Sequence, residues 1–191
     1  MEKEPKQSFY TGDVAERNND LEREYTEENQ EINFSPEQQA IWADLYAGIH
    51  QPYLMEHLTR EFLQGLDLLK LDPQSIPTVA YLNERITPRS GWRIERTVVR
   101  YTPADDWYHK FARRIFLITD YLRSRDQMEF TPEPDMFHDI FGHLPYLTQT
   151  FYANLEDKFA PAYLKANPDE KEVIKRLAWY STEFGLVIQE G

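Results

Sequence analysis

The chain has 191 residues, long enough for one domain with a sizeable core rather than a disulfide-stapled miniprotein. Its 33 Asp and Glu against 21 Lys and Arg leave a net charge of −12, which disfavours docking on nucleic-acid phosphates or anionic lipid. The absence of cysteine excludes thiolate nucleophiles, Cys-ligated zinc and iron–sulfur clusters, so any metal must sit on His, Asp or Glu. No window approaches 18 uninterrupted apolar residues, and the first residues show neither a basic n-region nor an apolar h-region. The expectation is a soluble, cytoplasmic protein with no membrane and no nucleic-acid partner.

Residues 1–34 hold ten acids and four basic residues with no apolar periodicity. Such a stretch buries too little apolar area to offset its ordering entropy, and it reads as an acidic, disordered lead-in to a domain spanning 35–191. Ser35-Pro36-Glu37-Gln38 is a helix start, with a hydroxyl N-cap, proline at N1 and a Gln that can reach back to the cap. Ile41, Trp42, Leu45, Tyr46 and Ile49 follow at helical spacing, and Leu54, Leu58, Phe62, Leu66 and Leu69 form a second stripe. Two packed helices are expected, with His50 and His57 as solvated or core-edge groups.

A third helix is expected over Ser75 to Ile86, capped by Ser75. Trp92 to Val98 alternates with period two and is the best strand candidate. Thr102-Pro103-Ala104-Asp105 opens a helix through Trp107, Phe111 and Ile115, with His109 on its surface. Phe116 to Leu122 is either a buried strand or the continuation of that helix. Asn154 to Leu164 and Glu172 to Val187 read as two more helices, separated by the stop and restart signal Asn167-Pro168-Asp169. The fold class is mainly α with minor β.

The densest functional segment runs from Thr131 to Pro145 and contains Pro134, Asp135, His138, Asp139, Gly142 and His143. Prolines and glycine frame the two histidines and restrict the backbone on both sides. On an ideal α-helix, residues i and i+5 are separated by about 140° of rotation and about 7.5 Å of rise. A shared metal therefore demands that the helix end or unwind near Gly142. Glu183, in the aromatic run Trp179-Tyr180-Ser181-Thr182-Glu183-Phe184-Gly185-Leu186, is a carboxylate in want of a cation, either a metal or a basic side chain. Two imidazoles and one carboxylate on one face of a metal leave positions open, as in non-haem Fe(II) oxygenases. The same ligands serve a zinc hydrolase, so these residues alone leave the metal open.

These segments resemble the pterin-dependent aromatic amino acid hydroxylases, above all the short bacterial phenylalanine hydroxylases. Pro-Glu-Pro-Asp, two residues, His-Asp, two residues, Gly-His, one residue, Pro at 132–145 is similar to the family's iron segment. The run at 179–186 is similar to its third-ligand helix, and the likeness extends upstream through Gly91-Trp92-Arg93 and Tyr121-Leu122-Arg123. The resemblance implies the family's helical basket fold, Fe(II) on His138, His143 and Glu183, and a tetrahydropterin cofactor. It implies an Arg123 clamp on the substrate carboxylate, held by Asp135, and a ring pocket of Thr131, Pro134, Trp179 and Phe184. Asp139 would face the pterin and Trp107 would stack on it.

The implied activity is hydroxylation of an aromatic amino acid with O₂, phenylalanine to tyrosine in first place, by a monomer or weak oligomer. Tyrosine or tryptophan hydroxylation, and a relative that binds metal and an aromatic ligand without turnover, are the alternatives. Two departures accompany the resemblance. Val99-Arg100-Tyr101-Thr102 stands where the family has its Gly-Leu-Leu or Gly-Leu-Ile pterin loop, and the chain is expected to lack the family's C-terminal part.

Overall fold

The computed structural model describes residues 32–188 apart from 98, 100, 101 and 132. Most of the acidic lead-in, and the position at which the expected strand would end, lie outside the described residues. Helix α1 (Pro36–Ile49) begins as its sequence dictates: Ser35 accepts from the Gln38 amide while the Gln38 side chain accepts from the Ser35 amide. The second apolar stripe is split, contrary to expectation, into a single turn α2 (Pro52–Met55) and α3 (Arg60–Leu69). Thr59 intervenes as an N-cap, accepting from the Phe62 amide, and Leu54 is left exposed.

The expected start at Ser75 is also corrected. Helix α4 (Val79–Ser90) takes Thr78 as its cap and runs past Ile86 to Gly91, whose φ of 75° closes the helix in the left-handed region. Pro77 explains the shift, because proline disfavours α geometry at the residue before it. Strand β1 (Arg93–Thr97) is followed by α5 (Ala104–Phe111) and strand β2 (Ile115–Thr119). The helix opened at Thr102 thus stops at Phe111, and Ile115 starts a strand, settling the apolar run at 116 as sheet. The two strands pair in parallel, Arg93 opposite Ile115 through Thr97 opposite Thr119, with α5 as the crossover.

A short 3₁₀ turn (Arg125–Gln127) leads to the wide helical turn His138–His143, then to α6 (Leu144–Leu147). Helix α7 (Thr150–Lys165) starts before the expected Asn154, and α8 (Pro168–Thr182) starts before Glu172 and ends before Val187. Asn167 and Glu170 form the capping box that starts α8. No helix among the described residues is long and apolar enough to cross a membrane.

The core aligns the segment that carries the two histidines. Phe137 stacks on Phe141 at 5.4 Å between centroids, and Trp42 of α1 meets Phe137 edge-on at 5.2 Å. Phe62 of α3 contacts Phe141 at 5.7 Å, and Ile140 and Leu144 are fully buried beside them. This apolar face fixes the azimuth of the segment, so that its other face carries His138 and His143.

Candidate metal centre

The geometric demand posed by the i, i+5 histidines is met by widening the helix rather than ending it. Residues His138 to His143 form a π-helical turn, bonded i to i+5, continuous with Met136 and Phe137 before it and α6 after it. The extra residue in the turn brings His143 over His138, and the two Nε2 atoms lie 2.9 Å apart. Local chemistry favours the widening at this place. Pro145 lacks the N–H that would close an α-turn on the Phe141 carbonyl, so the α ladder is already interrupted there.

The start of the segment is pinned by Asp135, which is fully buried. Its Oδ1 accepts from the His138 amide at 3.0 Å and from Arg123 Nη2 at 2.9 Å; its Oδ2 accepts from Arg123 Nε at 2.8 Å and from the Arg123 amide at 3.0 Å. The bidentate guanidinium neutralises the carboxylate, and the carboxylate in turn caps the ligand helix. Asp139 ties the same segment to β2, its Oδ2 accepting from the Thr119 amide at 2.8 Å. Burial pushes the Asp139 carboxyl up to about 7, with the Thr119 N–H opposing that shift.

Glu183, the residue that ends α8, reaches the pair from a different element. One of its oxygens is 3.5 Å from His138 Nε2 and the other 3.3 Å from His143 Nε2. Burial raises the Glu183 carboxyl, but its hydrogen bond with His143 and the two imidazole charges outweigh that and hold it below the usual range. His143 is the converse case. Burial disfavours its charged form, and Glu183, Asp139 and Glu156 together lift it above the ordinary imidazole value. His138 is held below that value by burial first and by the charge of His143 second.

Among the described residues these three form the one group of His and acidic donors close enough to share an ion, with all ligand atoms within 4.8 Å of one another. At bonds of about 2.1 Å, donors around an ion are spaced roughly 3.0 Å in an octahedral arrangement and roughly 3.4 Å in a tetrahedral one. The observed spacings of 2.9, 3.3 and 3.5 Å fit a bound divalent metal on three protein ligands.

The three donors open onto a cavity of about 350 Å³. Of the remaining residues expected at the site, Trp107, Pro134, Asp139 and Trp179 line this cavity, whereas Arg123, Thr131, Asp135 and Phe184 do not. Arg123 and Asp135 pair with each other, Thr131 Oγ1 donates to the Glu133 carbonyl at 2.8 Å, and Phe184 is exposed with its ring 5.8 Å from Trp179. Trp107 packs on Phe111 and Phe116 at 4.8 and 5.2 Å, and Phe116 in turn lies 5.5 Å from the His143 ring. His50, expected off the site, stacks on Tyr46 at 3.9 Å. Within the 99–102 stretch, 100 and 101 lie outside the described residues.

Sequence reasoning missed Phe116, Tyr152, Glu156 and Thr182, all on the cavity wall. The apolar run at 116 carried no sign of its face, and Tyr152 was placed ahead of the helix it belongs to. The usable signal was Tyr152 and Glu156 at i and i+4, two polar groups on one face with the small, buried Ala153 and Ala160 nearby.

Comparison with known proteins places this geometry in a family. The model of the biopterin-dependent aromatic amino acid hydroxylases matches residues 13–191, reaching back into the acidic segment. The phenylalanine-4-hydroxylase of Chromobacterium violaceum is 34% identical over 155 residues, covering 81% of this chain and 52% of that protein. The tyrosine 3-monooxygenase of Canis lupus familiaris is 30% identical over 164 residues, covering 84% of this chain and 33% of that one. The C. violaceum enzyme solved with iron(III) and 7,8-dihydrobiopterin superposes with a TM-score of 0.76 at 29% identity, over 90% of this chain and 64% of that one. The chain spans about half the length of the bacterial relatives it matches. With a family match over nearly the whole sequence and the fold to go with it, the chain belongs to the biopterin-dependent aromatic amino acid hydroxylases.

Proposed function

We propose that residues 35–191 form the catalytic part of an iron- and tetrahydropterin-dependent monooxygenase that converts phenylalanine to tyrosine. The observation that carries this reading is the convergence of His138, His143 and Glu183 at the wall of an aromatic-lined cavity. Bound there, iron and a tetrahydropterin would supply the chemistry: four-electron reduction of O₂, two electrons from the pterin and two from the ring, one oxygen atom entering the ring and the other leaving as water.

The chain's own residues bind, orient and exclude water. The three ligands occupy one side of the metal and leave the other for exogenous groups. Arg123 spends three of its five N–H groups on Asp135 and the Met128 carbonyl, leaving two for a substrate carboxylate. Pro134 and Trp179, which line the cavity with the three donors, would form the ring subsite, and Thr131 and Phe184, outside the cavity lining, would have to close on the substrate to complete it. Trp107 offers a flat apolar face to the pterin ring, and Asp139 a carboxyl group beside it. Phe116, Leu117 and Leu147 keep the cavity apolar, which suits a benzene ring and limits side reactions with water.

The deciding assay is tyrosine formation from phenylalanine that requires both Fe(II) and tetrahydropterin. Metal binding without product would favour a binding protein without turnover. Product from tyrosine or tryptophan and none from phenylalanine would reassign the substrate, as similarity to a tyrosine 3-monooxygenase allows. Oxygen-independent ester or amide cleavage with tight zinc would overturn the oxygenase reading.

A further inference from the structure

Glu183 is delivered by a helix that has little hold on the core. None of the residues of α8 is buried, and the Glu183 carboxylate has only the two imidazoles within ion-pair distance among the described residues. Ligand groups must be held to within about 0.5 Å for a site to work, so something must fix the end of α8. Ser181 does not, because its hydroxyl bonds back to the Leu177 and Ala178 carbonyls within the same helix.

The candidates lie across the cavity wall on α7. Tyr152 and Glu156 stand one turn apart on the same face of that helix and line the cavity together with Thr182 and Glu183. Glu156 is only 7% exposed, its Oε1 has no hydrogen-bond partner, and no cation pairs with it among the described residues. A buried carboxyl group of this kind is costly and requires an explanation. On this wall the Tyr152 phenol has both the Glu156 carboxyl group and the Thr182 hydroxyl as its polar neighbours. Thr182 immediately precedes the ligand.

We propose that Tyr152 and Glu156 are positioning residues, a polar clamp that ties the last turn of α8 to α7 through Thr182 and so sets the Glu183 carboxylate on the metal. Glu156 orients the tyrosine hydroxyl, the tyrosine holds Thr182, and neither touches the ion. The inference rests on the metal reading of the three-residue cluster and adds to it the outer partners that hold its weakest-anchored ligand.

The test is Co(II) uptake by the full chain, followed by visible absorption and by competition for affinity, with circular dichroism and thermal unfolding in parallel. Wild-type protein that takes up no Co(II) would sink the metal reading itself, not the clamp. Given wild-type uptake, Tyr152→Phe and Glu156→Leu should each weaken Co(II) binding by about 10–100-fold and change the visible band shape, with helix content kept. Glu156→Gln retains an acceptor and should remain within about threefold of wild type. Thr182→Val, outside α7, should repeat the loss and covers the case in which α7 variants fail to fold. Affinity and band shape unchanged in Tyr152→Phe and Thr182→Val would overturn the proposal and leave these side chains a packing role.

Discussion

Gly65 is where helix packing bears most directly on the ligand segment. A Cβ built there would lie 2.1 Å from the Pro145 carbonyl oxygen and 2.5 Å from its carbonyl carbon, against an ordinary contact of 3.4 Å or more. The obstacle is backbone, so no rotamer change relieves it, and α3 must retreat from α6 by about 1 Å. In an exposed helix, Gly→Ala gains about 1 kcal/mol; here that gain is opposed by overpacking of about 1–3 kcal/mol plus loosened contacts of Phe62 and Leu144. The expected net loss of about 1–2 kcal/mol lowers the melting temperature by about 2–8 °C in a chain of this size. Because Pro145 follows His143 by two residues, Gly65→Ala should also weaken metal binding. Gly48 has nothing within 4 Å of its added Cβ, so Gly48→Ala should raise the melting temperature by about 2–4 °C and leave metal affinity unchanged. Thermal unfolding and metal titration of both variants decide the matter. A Gly65→Ala protein as stable as wild type, with equal metal affinity, would refute the claim that this close approach positions the ligand turn.

His138→Ala and His143→Ala should each abolish iron loading and tyrosine formation, and near-normal iron content by elemental analysis in both would reject the ligand assignment. Arg123→Lys removes the planar fork while keeping the charge, so the KM for the amino acid should rise with iron content retained; lost iron loading at unchanged KM would show that Arg123 serves only the Asp135 cap. Burial, followed by the charges of Glu156 and Tyr163, pushes the Tyr108 phenol up to about 12. The stability gained by keeping it protonated is therefore complete below the unfolded value near 10 and is lost as pH climbs towards about 12, a change of roughly 3 kcal/mol. Tyr108→Phe should flatten the alkaline limb of a urea-midpoint profile, and an unchanged limb would place the titrating group elsewhere.

Elements with a chemical start signal were legible in the sequence. The Ser35 capping box and the Asn167 restart reappear in the structure because each is set by neighbours in the chain, whereas the strand expected over 92–98 forms by pairing with β2 and its alternation fails at the buried Thr97. The misplaced boundaries share a cause. Ser75 and Thr78 are both competent caps, and Pro77 between them selects the second. Leu54 continues the apolar period of the next helix, yet it is exposed, because Thr59 offers a better cap than the chain's periodicity can override. The three donors of the candidate metal centre were legible as residue types, while Glu156 was not, because only the packing of α7 against α8 gives a buried carboxyl group there its neighbours.

The two histidines set the limit of such reading. Five-residue spacing on an α-helix argues against a shared ion, and the conflict resolves only through backbone geometry that no side-chain pattern announces. What makes the wide turn tolerable is visible once the structure is known: Asp135 secures its first amide, Pro145 has already broken the α ladder behind it, and Asp139 anchors its middle to β2. The apolar face of Phe137, Ile140, Phe141 and Leu144 then holds the segment against α1 and α3, so widening the helix does not let it slip. A π-turn without such supports would relax to α and carry His143 away from His138. The strain is therefore borne by packing and capping outside the reach of the two imidazoles, contacts that hold the pair together independently of any ion between them.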